Sequence, residues 1–353
     1  MPYGTVNADL MTTSDGVSSS GLYGFKNRII NGAMVIDQRN AGASFTPTSG
    51  ISTYSLDRWS FYVNQSSKLT TQQSSTAPTG FVNSLLVTSS SAYSVLTGDD
   101  FELRQFIEGY NTADLGFGTA GASTVTLSFW VRSSLTGTFG GAIRNSANNR
   151  SYVFSYTISS ANTWEQKTVT IAGDTSGTWL TTNGRGMAVI FSLGAGSTFL
   201  KAAGSWGAGE FSGATGQTNL VGTNGATFYI TGIQLEKGST ATSFDYRPYT
   251  TELQLCQRYY YQYVGEINGA TGAFEWSYPI GAMAIAYRRA TLKHPVYMRV
   301  APTVASVTAR VNDASTVSAS SQYQSTSGWA FEYATGSTSD YVAISNYTVS
   351  AEL

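Results

Sequence analysis

The chain has 353 residues, of which 41% are hydrophobic, 13% aromatic and only 12% charged. That length calls for two or three folded units, and the charge share is about half that of an ordinary soluble domain. With 20 basic and 21 acidic residues spread without runs, the net charge of -1 excludes the basic footprint of a nucleic-acid or anionic-membrane binder. The single cysteine, Cys256, excludes an internal disulfide and a Cys-rich metal site and suits assembly in a reducing cytoplasm. No apolar stretch is long enough to span a membrane, and residues 1–20 lack the pattern of a secretion signal.

Residues 1–25 hold a short apolar-alternating piece and then a Ser/Gly stretch, the composition of an extended arm that gains order by docking. From Lys26 onward, short runs bounded by turn formers predict strands at 27–37, 57–63, 84–90 and 101–109. The clearest run is STVTLSFWVRSS at 123–134, where Val125, Leu127, Phe129 and Val131 alternate with Thr126, Ser128, Trp130 and Arg132, the period of a half-buried strand. Further strands are predicted at 151–159, 164–172, 186–193 and 226–238. With 37 glycines and 7 prolines the balance favours strands joined by glycine turns. Residues 26–249 are therefore expected to form one antiparallel jelly-roll sandwich.

The pattern changes at Thr250. Thr250 can cap, Glu252 sits in a first turn, and Leu253, Cys256, Tyr260 and Tyr263 recur at helical spacing, which predicts a connecting helix over 250–263. After it, FEWSYPI, MAIAYRR, PVYMRV, SVTARV, GWAFEYA and DYVAISNYTVSAEL predict a smaller β domain over 264–353. The fold class is thus all-β throughout, with one short helix.

Several patterns lose on inspection. GFGTAG at 116–121 matches a dinucleotide fingerprint but is followed by a strand, STVTLSFWV, where that chemistry needs a helix. The only imidazole, His294, precedes Pro295 among strand residues and is read as structural, which also removes His-based zinc sites. Asp99 and Asp100 follow a glycine; without calcium-loop spacing they read as an ordinary turn. A glycosidase needs only two carboxylates, for which Asp57, Asp99, Asp100, Glu102, Glu108, Asp114 and Asp174 are candidates. YYYQY at 259–263 has no basic surroundings and reads as packing between domains rather than as a base-stacking surface.

Aromatic residues offer the better site, because the apolar faces of sugars stack on indole while nearby polar groups bond the hydroxyls. Trp59 and Trp130 lie in strong strand patterns, and Trp164, Trp276 and Trp329 are further candidates. Trp179 and Trp206 sit in the Gly/Ser/Thr-rich stretches SGTWLTTNG and AAGSWGAGE, which makes them the predicted ligand contacts. No cofactor, metal or catalytic residue is predicted.

Six phrases carry a resemblance: NRIINGAMVIDQRNAG (27–42), YSLDRW (54–59), FIEGYNTADLGFGTAG (106–121), TVTLSFWVRSSLTGTF (124–139), NTWEQKTVTIAGDTSGTW (162–179) and ITGIQLEKGSTATSFDYRPYTTELQLCQRYYY (230–261). Together they resemble the framework of bacteriophage tail-fibre and related virion proteins. The layout of their strands is similar to that of carbohydrate-binding-module jelly rolls, a likeness that carries fold more safely than ligand. The resemblance implies a non-enzymatic virion protein assembled in the host cytoplasm as a homotrimer. It further implies attachment to other tail or virion proteins through residues 1–25, contact with a host-surface glycan, and recognition of the host through a distal part at 264–353. A capsid-decorating or collar protein without a host ligand is the alternative reading. A polysaccharide-degrading tailspike-type enzyme is the third, although no β-helix repeat is present.

Overall fold

The computed structural model describes residues 26–264, 277–279, 288–311, 315–317, 319–333 and 341–353. The expected arm at 1–25, Trp276, and most of the strands expected at FEWSYPI and MAIAYRR lie outside the described residues. The chain divides into two compact units, residues 1–247 and 248–353.

In chain order the strands of the first unit are β1 (Thr53–Leu56), β2 (Trp59–Val63), β3 (Leu69–Ser74), β4 (Ser84–Ser89), β5 (Asp100–Glu108), β6 (Val125–Ser133), β7 (Gly137–Arg144), β8 (Arg150–Ile158), β9 (Glu165–Ile171), β10 (Arg185–Ala195), β11 (Leu200–Lys201), β12 (Trp206–Ala208), β13 (Gly213–Ala214) and β14 (Thr227–Lys237). They form a seven-stranded sheet in the order β1-β2-β5-β10-β7-β8-β12 and a five-stranded sheet in the order β3-β4-β14-β6-β9. All pairings within these two sheets are antiparallel. This is the expected all-β sandwich.

Alternation explains how the sheets meet. In β6, Val125, Leu127, Phe129 and Val131 are fully buried, while Trp130 and Arg132 on the opposite face are half-buried. Phe129 of the smaller sheet meets Tyr156 of β8 and Phe191 of β10 edge-on, with ring centroids 5.0 Å apart in both cases. Burying one such ring contributes about 1.5–3 kcal/mol, so these inward faces supply the main driving force for closing the sandwich.

The outer face of the larger sheet is covered too, and β5 is buried along its whole length. The segment around β13 lies over it: Ser212 Oγ donates to Asp100 at 2.7 Å and Glu210 reaches Arg144 at 3.4 Å. Beneath that cover Glu102 pairs with Arg104 at 2.6 Å and with Arg144 at 3.0 Å. Burial alone would raise the Glu102 pKa, but the charges of Arg144 and then Arg104 hold it below the usual carboxylate value. Asp100 lacks such a clamp, so burial first and the Glu102 charge second push its carboxyl well above the ordinary range.

The strand expected at 27–37 does not form. Asn31 and Met34 have left-handed backbone, with φ of 57° and 58°, a conformation asparagine tolerates better than most residues. Buried amides take over the backbone bonding that a strand ladder would have supplied. Asn31 accepts from Ile36 N–H and donates to Ile36 O, and Gln105 does both for Ile30. Ile29, Met34 and Ile36 still enter the core, so the apolar pattern reported burial correctly and conformation wrongly.

This same N-terminal segment is clasped to the last residues of the unit. Lys26 Nζ donates to Ser243 O at 2.7 Å, and the Arg247 guanidinium donates to Asn27 O and Ile29 O. Phe81, Phe244 and Tyr246 form a ring cluster with centroids 4.9–5.5 Å apart, and Tyr246 Oη donates to Gly80 O. The chain therefore enters and leaves the sandwich at one place.

The second unit opens with α1 (Tyr249–Gln257), followed by β15 (Tyr260–Val264), β16 (Ser277–Pro279), β17 (Arg288–Lys293), β18 (Thr303–Val311), β19 (Ser315–Val317), β20 (Ala319–Gln322), β21 (Gly328–Tyr333) and β22 (Tyr341–Ser350). One sheet runs β15-β22-β18-β19 with β16 also on β22, and another runs β17-β21-β20. The helix expected over 250–263 is thus corrected at both ends: Pro248, not Thr250, is the N-cap, and Tyr260 and Tyr263 belong to a strand. Consecutive tyrosines pack better on a pleated surface than on a helix, and Tyr261 and Tyr263 stand opposite Val349 and Tyr347. PVYMRV at 295–300 is not a strand either, since Pro295 has no N–H for a ladder. Trp329, Phe331, Tyr347 and Val349 form the core of this unit. Among the described residues no helix is long and apolar enough to cross a membrane.

Candidate functional site

The two tryptophans singled out in the sequence are brought together in the first unit. Trp179 and Trp206 stand edge to face with centroids 5.5 Å apart, and Phe117 meets them at 4.9 Å and 5.8 Å. Their roles differ. Trp206 starts β12, donates its indole N–H to Ala172 O at 2.7 Å and packs against Tyr152. Trp179 lines a cavity of about 140 Å³; Trp206 is behind it and does not line that space.

Two loops build the cavity. The first follows β5 through two short 3-10 turns, Gly109–Asn111 and Ala113–Leu115, into the GFGTAG stretch. Arg28 fixes it by pairing with Asp114 at 2.7 Å and 2.9 Å while donating to Asn111 O at 2.9 Å. Burial would raise the Asp114 pKa, but the Arg28 hydrogen bonds and charge, with Lys237 behind them, hold it below the usual value. The second loop leaves β9 and carries Trp179. Asp174, almost fully buried, pairs with Arg150 at 2.5 Å and 2.9 Å and accepts from Ser176 N–H and the Trp179 indole N–H.

The loops touch at a glycine. Gly118 donates to Asp174 O at 2.7 Å. It has a φ of 84°, and a Cβ there would lie 2.6 Å from Gly177 O and 3.3 Å from the Trp179 ring. The glycine stretch that mimics a nucleotide fingerprint therefore serves close loop-to-loop contact. Further along, Gly109 and Tyr110 bond to Gly184 O and Thr182 O respectively, which places Tyr110, 63% exposed, beside the Leu180–Thr182 rim.

Met187 and Phe117 give the cavity an apolar base, and Thr112, Thr119 and Thr181 add hydroxyls. Every side chain on its wall is uncharged. Sequence reasoning found Trp179 but missed Thr112, Phe117 and Met187, which come from a turn, a loop and a strand start. The one signal the sequence carries for them is GFGTAG itself, whose spacing resembles a phosphate loop.

The other candidates lie elsewhere. Trp59 and Trp329 are core residues at 0% and 1% exposure. Trp130 is half-buried on the outer face of the five-stranded sheet, while Trp164 packs edge-on to Tyr229, over which Arg132 sits at 5.0 Å. Asp99 accepts from Tyr93 Oη and Leu96 N–H. Among the described residues no group of three or more His, Cys, Asp or Glu could hold a metal ion. His294 is buried between Tyr261 Oη at 2.8 Å and Ser325 O at 3.0 Å. Since a carbonyl only accepts, Nε2 carries the proton and Nδ1 accepts from the tyrosine.

No family model and no curated protein matches the chain. Among solved structures, 51% of it is similar to the enzymatically active domain of bacteriophage CBA120 tailspike protein 4, with 13% identity and a TM-score of 0.29, and it spans only 19% of that domain. The family 11 carbohydrate-binding module of Clostridium thermocellum, solved with a β-1,3-1,4-mixed-linked tetrasaccharide, matches 57% of this chain over 98% of its own length, with 13% identity and a TM-score of 0.28. The N-terminal cellulose-binding domain of Cellulomonas fimi β-1,4-glucanase C matches 52% of the chain over 90% of its length, with 15% identity and a TM-score of 0.27. The sandwich itself rests on the strand pairing above, not on these distant likenesses.

Proposed function

We propose that this chain is a non-enzymatic structural protein of a phage particle, a tail fibre attached through residues 1–25 and self-associated as a homotrimer. Its first unit contacts host-surface glycan at the Trp179 cavity. One observation carries the glycan reading: an indole and a phenyl ring share a small, hydroxyl-bearing cavity with an exposed tyrosine and leucine beside it. The framework phrases at 27–261 support the virion reading. The absence of catalysis is supported by the position of the acids. Asp100 and Glu102, the described pair with opposed pKa shifts, are buried to 2% and 0% exposure, and no acid lines the cavity.

The test is adsorption of the purified full-length protein to polysaccharides extracted from host surfaces, beside Trp179→Ala. Retention by the parent and its loss in the variant is expected, with no release of reducing ends. Absence of retention by both removes the glycan reading, and reducing ends released by the parent overturn the non-enzymatic one. Antibody against residues 26–247 should label tails of intact particles; labelling confined to heads would remove the tail-fibre assignment.

A further inference from the structure

We infer that the Trp179 cavity takes one terminal, neutral pyranose that carries a methyl group, either 6-deoxy or N-acetyl, rather than a stretch of polysaccharide chain or an acidic sugar. This rests on the reading of the cavity as a sugar site. Size comes first. At about 140 Å³ the cavity lies below the usual range of ligand pockets and near the volume that a dry engineered cavity offers to one six-membered ring. A pyranose with its substituents has roughly twice the atoms of that ring, so the cavity admits one edge of a single sugar and no neighbouring residue, and recognition falls on a chain end.

Charge comes second. A uronate or sialate carboxylate needs a cation, and no cationic side chain lines the wall. The cations beside the two loops are already engaged, Arg28 by Asp114 and Arg150 by Asp174. A bare carboxylate in this space would be desolvated without a partner.

Shape of the polarity comes third. The only side-chain hydroxyls are those of three threonines, each of which also presents a methyl group, while the Met187 thioether and the Phe117 ring form an unpolar base. Thr119 Oγ1 donates to Gly116 O at 2.7 Å and accepts from Gly121 N–H at 3.2 Å, and Thr112 Oγ1 donates to Gly109 O at 3.3 Å, so these two hydroxyls offer a ligand only their remaining acceptor capacity. A hexose that turned its hydroxymethyl edge toward this base would leave that hydroxyl without a partner, whereas a methyl or acetamido methyl there has nothing to leave unpaired. One methyl group in an apolar pocket distinguishes ligands by about tenfold or more.

Calorimetric or NMR titration of the full-length protein decides the matter. The probes are methyl glycosides of fucose, rhamnose and N-acetylglucosamine, with methyl glucoside, glucuronate and a soluble unbranched glucan as comparisons. One methyl-bearing glycoside is expected to bind at least about tenfold more tightly than glucoside or glucuronate, and which one it is separates the 6-deoxy from the N-acetyl source. Ala113→Glu, an exposed position on the cavity wall, should abolish that binding without moving the melting temperature. This keeps the test independent of any unfolding caused by Trp179→Ala. Equal binding of glucoside or glucuronate, binding of the glucan alone, or unchanged binding in Ala113→Glu would overturn the inference while leaving a sugar-binding protein. No binding by any probe or by host polysaccharide would remove the sugar site itself.

Discussion

Two regions of the first unit use opposite chemistry. Around Glu102 the fold seals two arginines and two acids under a covering segment, with Arg144 at 1% exposure. Around Trp179 it leaves a cavity whose wall has no charge. The difference teaches where charge does its work here: it holds the larger sheet and the loops in place, and the cavity wall beside Trp179 is left neutral. Displaced pKa values alone would single out Asp100 and Glu102 instead, although burial raises the first and, against burial, the Arg144 and Arg104 charges lower the second within a sealed cluster.

The sharpest way to break this contrast is Glu102→Gln. It removes the acid between two buried arginines and should destabilise the first unit by about 3–5 kcal/mol, read as a lowered denaturation midpoint. A change below about 1 kcal/mol would mean that the cluster is not structural. Next in size is Trp179→Ala, which should weaken glycan binding by about 1–3 kcal/mol. Trp206→Ala should act mainly on stability, since that ring supports Trp179 from behind. Equal losses of binding in the two variants would assign Trp206 a direct contact.

Acidity sharpens the comparison further. Between about pH 5 and 8, where histidine is the side chain that ordinarily titrates, glycan affinity should be flat, because nothing on the cavity wall gains or loses a proton there. The second unit should respond. Burial lowers the His294 pKa, so the folded form binds its proton less readily than the unfolded chain does. The stability this gives is present above the ordinary histidine pKa and is lost as pH falls toward the lowered one. Denaturation of the second unit that does not ease on acidification would remove this assignment. The smallest effect is expected at Asp100→Asn. Burial and the Glu102 charge raise the Asp100 pKa and so favour its uncharged form, and exchange for a neutral amide should cost about 1 kcal/mol or less. A large loss would mean that Asp100 is ionised in the fold.

Legibility in the sequence followed the same line between regular and irregular structure. Strands such as β6, β8 and β14 announce themselves because a half-buried strand must alternate, and their observed limits fall close to the expected ones. The segment 27–37 has a strand's apolar residues, yet Asn27, Asn31 and Gln105 satisfy its backbone in a way no periodicity records. Tyr260 and Tyr263 fit helical spacing, whereas Tyr261 and Tyr263 fit strand alternation; pairing with β22, far along the chain, decided between the two patterns. Trp179 was readable as a loop indole, but its cavity was not. Thr112, Phe117 and Met187 become neighbours only once two loops meet at Gly118, and that meeting is a property of tertiary structure.

The clasp between residues 26–29 and 243–247 has a mechanical meaning. Tension drawn along the backbone from residue 26 to residue 247 would load these few hydrogen bonds and the Phe81–Phe244–Tyr246 rings first. Asn27 and Arg28 also bond to Ile233 and Leu235 of β14, so that strand would share the load before the rest of the sandwich. A module hung in this way behaves as a pendant on a line rather than a link in it, and its cavity can keep its form while the line is pulled.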